Sequence, residues 1–256
     1  MKYNPGSWCL ALLMSGVALM AEEPRRVLFI GNSYTGVNKL PDIFTEIVKS
    51  SGRKIPVVKS ATPGGQTLRQ QLTQEPSLTL MAEGNWDIVV LQGQSEEPAL
   101  SEKDMKSRDH FVKSAAELCK LVREKSPKAK IYFYETWARH ADFWTNEKTA
   151  KDAAAVGANP KDMQARLRKW YGQVAKDNKA TVVPVGDAWE LNYSSAKPIR
   201  LHRSDNSHPE FNGSYLAGLV FYGTLYGVKE PKVEWHEKLP DEEVKQLRAY
   251  AAKVLK

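Results

Sequence analysis

Cysteine is nearly missing from this 256-residue chain, which carries only Cys9 and Cys119. A disulfide-stapled scaffold is thereby excluded, and no C-x-x-C pair or Cys/His cluster points to a metal site. Glycine (16) and proline (14) stand at ordinary levels and recur with no fixed period, which excludes collagen-like, solenoid and low-complexity chains. Long apolar runs are scarce as well. Residues 8–21 (WCLALLMSGVALMA) form a run too short to span a bilayer with ease. Lys2 is the only charge before it, small residues end it, and EEPRR follows abruptly. That is the pattern of a secretory leader over residues 1–21, with cleavage after Ala18 or Ala21; an uncleaved anchor is the alternative. A secreted or periplasmic protein of residues 22–256, with no stable membrane insertion after cleavage, is expected.

The rest of the composition is that of a folded globular domain, with 42% hydrophobic and 26% charged residues. Lys and Arg (37) outnumber Asp and Glu (30), giving +7. The basic residues are interspersed with acids along 117–128 and 161–169, as on solvated helix faces, and form no stripe with interleaved aromatics. Nucleic acid is therefore not an expected partner. Cys119 lies on the stripe Val112, Ala115, Ala116, Cys119 and Val122, whose spacing marks a buried helix face and a small core residue, not a nucleophile.

Short β-rich runs alternate with helical stretches. Residues 27–31 (VLFIG), 55–61 (IPVVKSA), 86–92 (WDIVVLQ), 130–137 (KIYFYETW) and 181–186 (TVVPVG) read as strands. Helices are predicted over 40–51, 66–82, 102–124, 161–176, 213–226 and 241–253. Near-continuous apolar strands separated by helices imply a parallel sheet covered on both faces: a three-layer α/β/α sandwich with five parallel strands, without a linker dividing it. Residues 138–159 break the rhythm and are expected to run as an excursion over the sheet edge. Ligands of such sheets bind beyond the carboxyl ends of the strands, so the informative residues are those just after each strand.

After the first strand comes Gly31-Asn32-Ser33-Tyr34-Thr35-Gly36. The spacing matches none of G-x-S-x-G, G-x-x-x-x-G-K-[ST] or G-x-G-x-x-G. A serine at such a turn can present its hydroxyl outward; a turn or capping role is the plain alternative. The second strand leads to Gly64-Gly65-Gln66, whose glycines allow close backbone approach to a ligand. The third delivers Gln92-Gly93-Gln94-Ser95, polar amides that are costly after an apolar strand unless paired, and an amide N–H there can donate to a developing oxyanion. Later, Asp205 and His208 stand three apart, close enough for the carboxylate to fix the imidazole's tautomer. His110, His202 and His236 lack partner motifs, and only His202 lies near that loop.

Together these segments resemble the SGNH subgroup of the GDSL hydrolases, over almost the whole chain beyond the leader. The combination GNSYT, VVLQ-x-QS and HP-x-x-x-GSYLAG is similar to a branch of that family found in secreted bacterial proteins. The resemblance implies a flavodoxin-like SGNH fold, Ser33 as nucleophile, His208 as general base and Asp205 as its partner. It further implies an oxyanion hole from the N–H groups of Ser33 and Gly65 and a loop amide, with no metal or cofactor. The family's G-x-N-D after the third strand is replaced here by Gln92-Gly93-Gln94-Ser95, so Gln94 stands for the asparagine, or Gln92 if the loop aligns differently. Asn32, Tyr34, Gln92 and Trp137 are the residues expected beside the substrate.

The implied function is esterase action through an acyl-enzyme, on a short acyl group of a carbohydrate or small molecule. Tyr34, Trp137, His140, Phe143 and Trp144 could line a sugar groove, although aromatics near strand ends are more often core. A non-catalytic carbohydrate-binding protein and a lipase or thioesterase are the rival readings.

Overall fold

The computed structural model describes Met1 and residues 23–255; the expected leader falls outside this part. Its centre is a five-stranded, all-parallel sheet of β1 (Arg26–Ile30), β2 (Val57–Ala61), β3 (Ile88–Leu91), β4 (Lys130–Tyr134) and β5 (Thr181–Val183), in the order β2-β1-β3-β4-β5. Each strand lies where an apolar run predicts one. Because successive side chains point to opposite faces, the sheet feeds two cores. Val27, Phe29, Ile88, Val90, Tyr132 and Tyr134 pack to one side with the Leu40–Ser50, Val185–Tyr193, Phe211–Tyr226 and Asp241–Val254 helices. Leu28, Ile30, Val89, Leu91, Ile131 and Phe133 pack to the other with the Met105–Lys125 and Pro160–Asp177 helices. Cys119 is wholly buried in this second core, and desolvation pushes its thiol up to about 11, as suits an inert core residue.

The structure differs from the sequence reading at three places. The helix predicted over 66–82 is divided into Leu68–Gln71 and Glu75–Ala82, because Pro76 fits a first helical turn but cannot continue a preceding helix. The strand predicted over 181–186 ends at Val183; Pro184 has no N–H for the ladder and instead precedes the Val185–Tyr193 helix, which was not foreseen. Residues 138–159 hold two short helices, Asp142–Thr145 and Ala150–Val156, pinned by the Trp144 indole N–H donating to the Gly157 carbonyl at 2.9 Å. Among the described residues, no helix is long and apolar enough to cross a membrane.

The chain runs from β1 outward to β2 and returns to place β3 on the other side of β1. This reversal puts a topological switch point between the ends of β1 and β3, the place where open α/β sheets bind ligands. In the first core beneath the sheet, Phe221 is fully buried edge-on against Phe29 (5.3 Å) and Tyr134 (4.8 Å). Phe221→Ala should cost about 3–5 kcal/mol of stability, read as a lower urea midpoint with an unchanged slope.

Candidate active site

Ser33 sits where β1 gives way to a single helical turn, Ser33–Gly36. Asn32 caps that turn: its Oδ1 accepts from the Tyr34 N–H at 3.0 Å. Its Nδ2 donates to the carbonyls of Gln66 (2.9 Å) and Gly93 (3.2 Å), so one buried amide ties together the loops after β1, β2 and β3. Gln92 completes the knot. Its Oε1 accepts from the Asn32 N–H and the Thr35 hydroxyl, both at 2.9 Å, while its Nε2 donates to Asn32 Oδ1 and to the Gly93 carbonyl. The glycine two places before Ser33 follows from this crowding, since a Cβ at Gly31 would lie 2.6 Å from Thr35 Oγ1 and 2.7 Å from Gln92 Oε1. Gly65 is exposed with φ +71, a left-handed backbone that favours glycine.

The second half of the site is carried by the loop that follows the unforeseen Val185–Tyr193 helix, whose base is closed by the His202–Pro209 bridge. Asp205 Oδ1 accepts from the N–H groups of Ser207 and His208, both at 2.9 Å. Its Oδ2 lies 2.6 Å from His208 Nδ1, and His208 Nε2 lies 2.9 Å from Ser33 Oγ. Partial burial raises the Asp205 pKa, but the hydrogen bonds from His208 and the two amides outweigh it, and the carboxyl lies below its ordinary value. The structure thus brings Ser33, His208 and Asp205 into one hydrogen-bonded chain. Its edge stays open, for Ser33 and His208 are half-buried and Asp205 is exposed.

Gln94 and Gln92 are used differently. Gln94 Oε1 accepts from the N–H groups of Glu96 (2.7 Å) and Glu97 (2.9 Å), at the start of the Glu97–Leu100 turn. Its Nε2 has only a long contact, 3.4 Å, to Ser95 Oγ. Gln92, by contrast, is committed to framework bonds at both ends of its amide.

The expectation that Asn32, Tyr34, Gln92 and Trp137 touch substrate does not fit the structure, in which they are 2%, 2%, 0% and 1% exposed. Asn32 and Gln92 bind loops together. Tyr34 is stacked on Trp137 at 4.5 Å, Trp137 on Trp189 at 3.8 Å, and the Trp137 indole N–H donates to the Ser207 carbonyl. The aromatics form a wall behind the histidine loop. A cavity of about 350 Å³ opens beside that wall, lined in part by Trp137, His140, Pro160, Lys161, Trp189 and Tyr193; Ser33, Asp205 and His208 do not line it.

Two residues here escaped the sequence reading. Arg139, just after β4 and buried, donates to Tyr34 OH, Ser95 Oγ and Glu96 Oε1. Burial opposes its charge, but Tyr34 and Glu96 outweigh that and raise its pKa. Tyr193 donates to His202 Nδ1 at 2.7 Å and accepts from the Leu201 N–H, while His202 Nε2 donates to the Ala138 carbonyl at 3.0 Å. His202 is therefore a neutral strut under the loop.

No family model and no curated protein matches the chain. Among solved structures it is similar to a DUF4886 family protein from Bacteroides uniformis, at 17% identity and a TM-score of 0.72, over 90% of this chain and 94% of that one. It is similar to a lipase/acylhydrolase from Enterococcus faecalis at 16% identity and a TM-score of 0.57, over 82% of this chain and 100% of that one. A third likeness is to a catalytic mutant of an acetylxylan esterase from Geobacillus stearothermophilus, at 14% identity and a TM-score of 0.56, over 86% and 100%. The chain has the fold of the SGNH/GDSL hydrolases, as its motifs led one to expect.

Desolvation drives the His202 pKa from the ordinary 6.5 down to about 3. Between those values the unfolded chain binds a proton that the folded one does not, so stability is full above pH 6.5 and is lost as pH falls toward 3. From pH 7 to pH 5, urea titration should show wild type losing about 2 kcal/mol more than His202→Gln; equal losses would contradict the buried, neutral imidazole.

Proposed function

We propose that the protein is a secreted or periplasmic serine esterase that removes a short acyl group from a carbohydrate or small-molecule ester. The observation that carries this reading is the Ser33–His208–Asp205 chain at 2.9 and 2.6 Å. With Asp205 accepting a hydrogen bond from Nδ1–H, His208 turns the lone pair of Nε2 toward the Ser33 hydroxyl, the tautomer a general base needs. Ser33 Oγ attacks the ester carbonyl as Nε2 takes its proton. Nε2 then returns that proton to the departing alcohol, leaving an acyl-serine. Water, deprotonated by His208, releases the acid and restores Ser33. The steps require no metal or cofactor.

Charge develops on the carbonyl oxygen, and three donors suit it. The Ser33 N–H opens a helical turn and has no preceding helical carbonyl to serve. The Gly65 N–H belongs to an exposed turn, and the carbonyl of the next residue, Gln66, accepts from the side chain of Asn32, which precedes Ser33. For the third, Gln94 is a better assignment than Gln92, because backbone amides pin its oxygen and leave Nε2 the freer end.

Substrate class is supported by the open edge of the site, which suits a small acyl group on a larger alcohol, and by the fold shared with an acetylxylan esterase. On 4-nitrophenyl acetate, Ser33→Ala should abolish turnover without moving the melting temperature; undiminished turnover would sink the assignment. Gln94→Ala should lower kcat about 100-fold with little change in KM. A panel of acetylated sugars, long-chain esters and thioesters should place the highest kcat/KM on an acetyl ester; a preference for long acyl chains would favour a lipase instead.

A further inference from the structure

One guanidinium reaches both sides of the site. Arg139 Nη1 donates to the Tyr34 hydroxyl at 2.6 Å, and that hydroxyl is 2.9 Å from Ser207 Oγ. Arginine has no acceptor, so the tyrosine oxygen accepts from it, and either hydroxyl can donate in the bond that continues to Ser207. Ser207 immediately precedes His208, and the Tyr34 ring meets the His208 ring edge-on at 5.5 Å. From its other edge Arg139 donates Nη2 to Ser95 Oγ (3.0 Å), and both Nη2 (2.8 Å) and Nε (3.1 Å) to Glu96 Oε1. Glu96 in turn donates its N–H to the oxygen of Gln94. The loops after β1 and β3 and the histidine loop therefore converge on one buried cation, although Arg139 lies 105 positions from Tyr34 and 43 from Glu96.

We propose that Arg139 is a positioning residue of this site: acting through the Tyr34 hydroxyl, it holds Ser207, and with it His208, at the register where Nε2 meets Ser33 Oγ. The role rests on the esterase reading above. Its chemistry explains the residue type, since a lysine presents a point charge and cannot donate along three directions from a rigid fork. It also explains why tyrosine follows the serine, since phenylalanine would keep the stack on Trp137 yet break the relay.

The test is a double-mutant cycle on 4-nitrophenyl acetate, with Ser33→Ala as reference. Tyr34→Phe and Ser207→Ala should each lower kcat about tenfold, with KM within about twofold and the melting temperature little changed. The double variant should be no slower than the slower single, because both break the same bond. Ser207→Thr, which keeps a hydroxyl, should restore most of the rate, and Arg139→Lys should lower kcat at least as far as Tyr34→Phe. A Tyr34→Phe enzyme as fast as wild type, or losses that multiply in the double variant, would overturn the positioning role while leaving the esterase reading intact, provided that Ser33→Ala is inactive. Turnover that survives Ser33→Ala would overturn both.

Discussion

Ser33 and His208 are separated by 175 positions, yet their side chains meet at 2.9 Å at the sheet edge. Neither residue can be placed there by local preference. Ser33 is delivered by β1, at the centre of the sheet's topological reversal, and His208 by a tight loop far down the chain. The parallel order sends all five strand ends to one edge, which shortens the search to a few loops. Side-chain hydrogen bonds then fix those loops relative to one another.

The buried polar residues near the edge make sense in that light. Asn32 and Gln92 are costly to desolvate, yet each has its amide engaged, so the penalty is offset and the bonds gain strength from the low local dielectric. A half-satisfied knot would be worse than an apolar one, which is why Gly31 must leave room for Thr35 and Gln92 together. On the other side of Ser33, the Tyr34–Trp137–Trp189 stack and the neutral His202 support the histidine loop. Ser33, His208 and Asp205 remain accessible while the residues that locate them are inside.

Much of this was legible in the residues. VLFI, IVVL and YFY carry apolar side chains on both faces, so their burial in a parallel sheet follows from composition alone. The G-N-S turn and D-x-x-H loop were legible because each has chemistry and short spacing in the sequence itself. The Val185–Tyr193 helix was hidden behind a β-rich prefix and a proline, so local propensity pointed the wrong way. Gln92 and Gln94 look alike in sequence; only the partners around them, supplied by Asn32, Thr35, Glu96 and Glu97, separate framework from freer amide. Arg139 was illegible for the same reason, since everything it binds comes from other loops. Trp137 and Tyr34 could be read as groove residues, although core is the commoner case for aromatics near strand ends, and packing decided for core.

The central claim is that Ser33 is an activated nucleophile, and its reactivity toward a fluorophosphonate tests this most directly. Peptide mass mapping of the folded wild-type protein should find one covalent adduct, on Ser33, that fails to form in His208→Ala or after denaturation. No adduct, or one on another residue, would contradict the account.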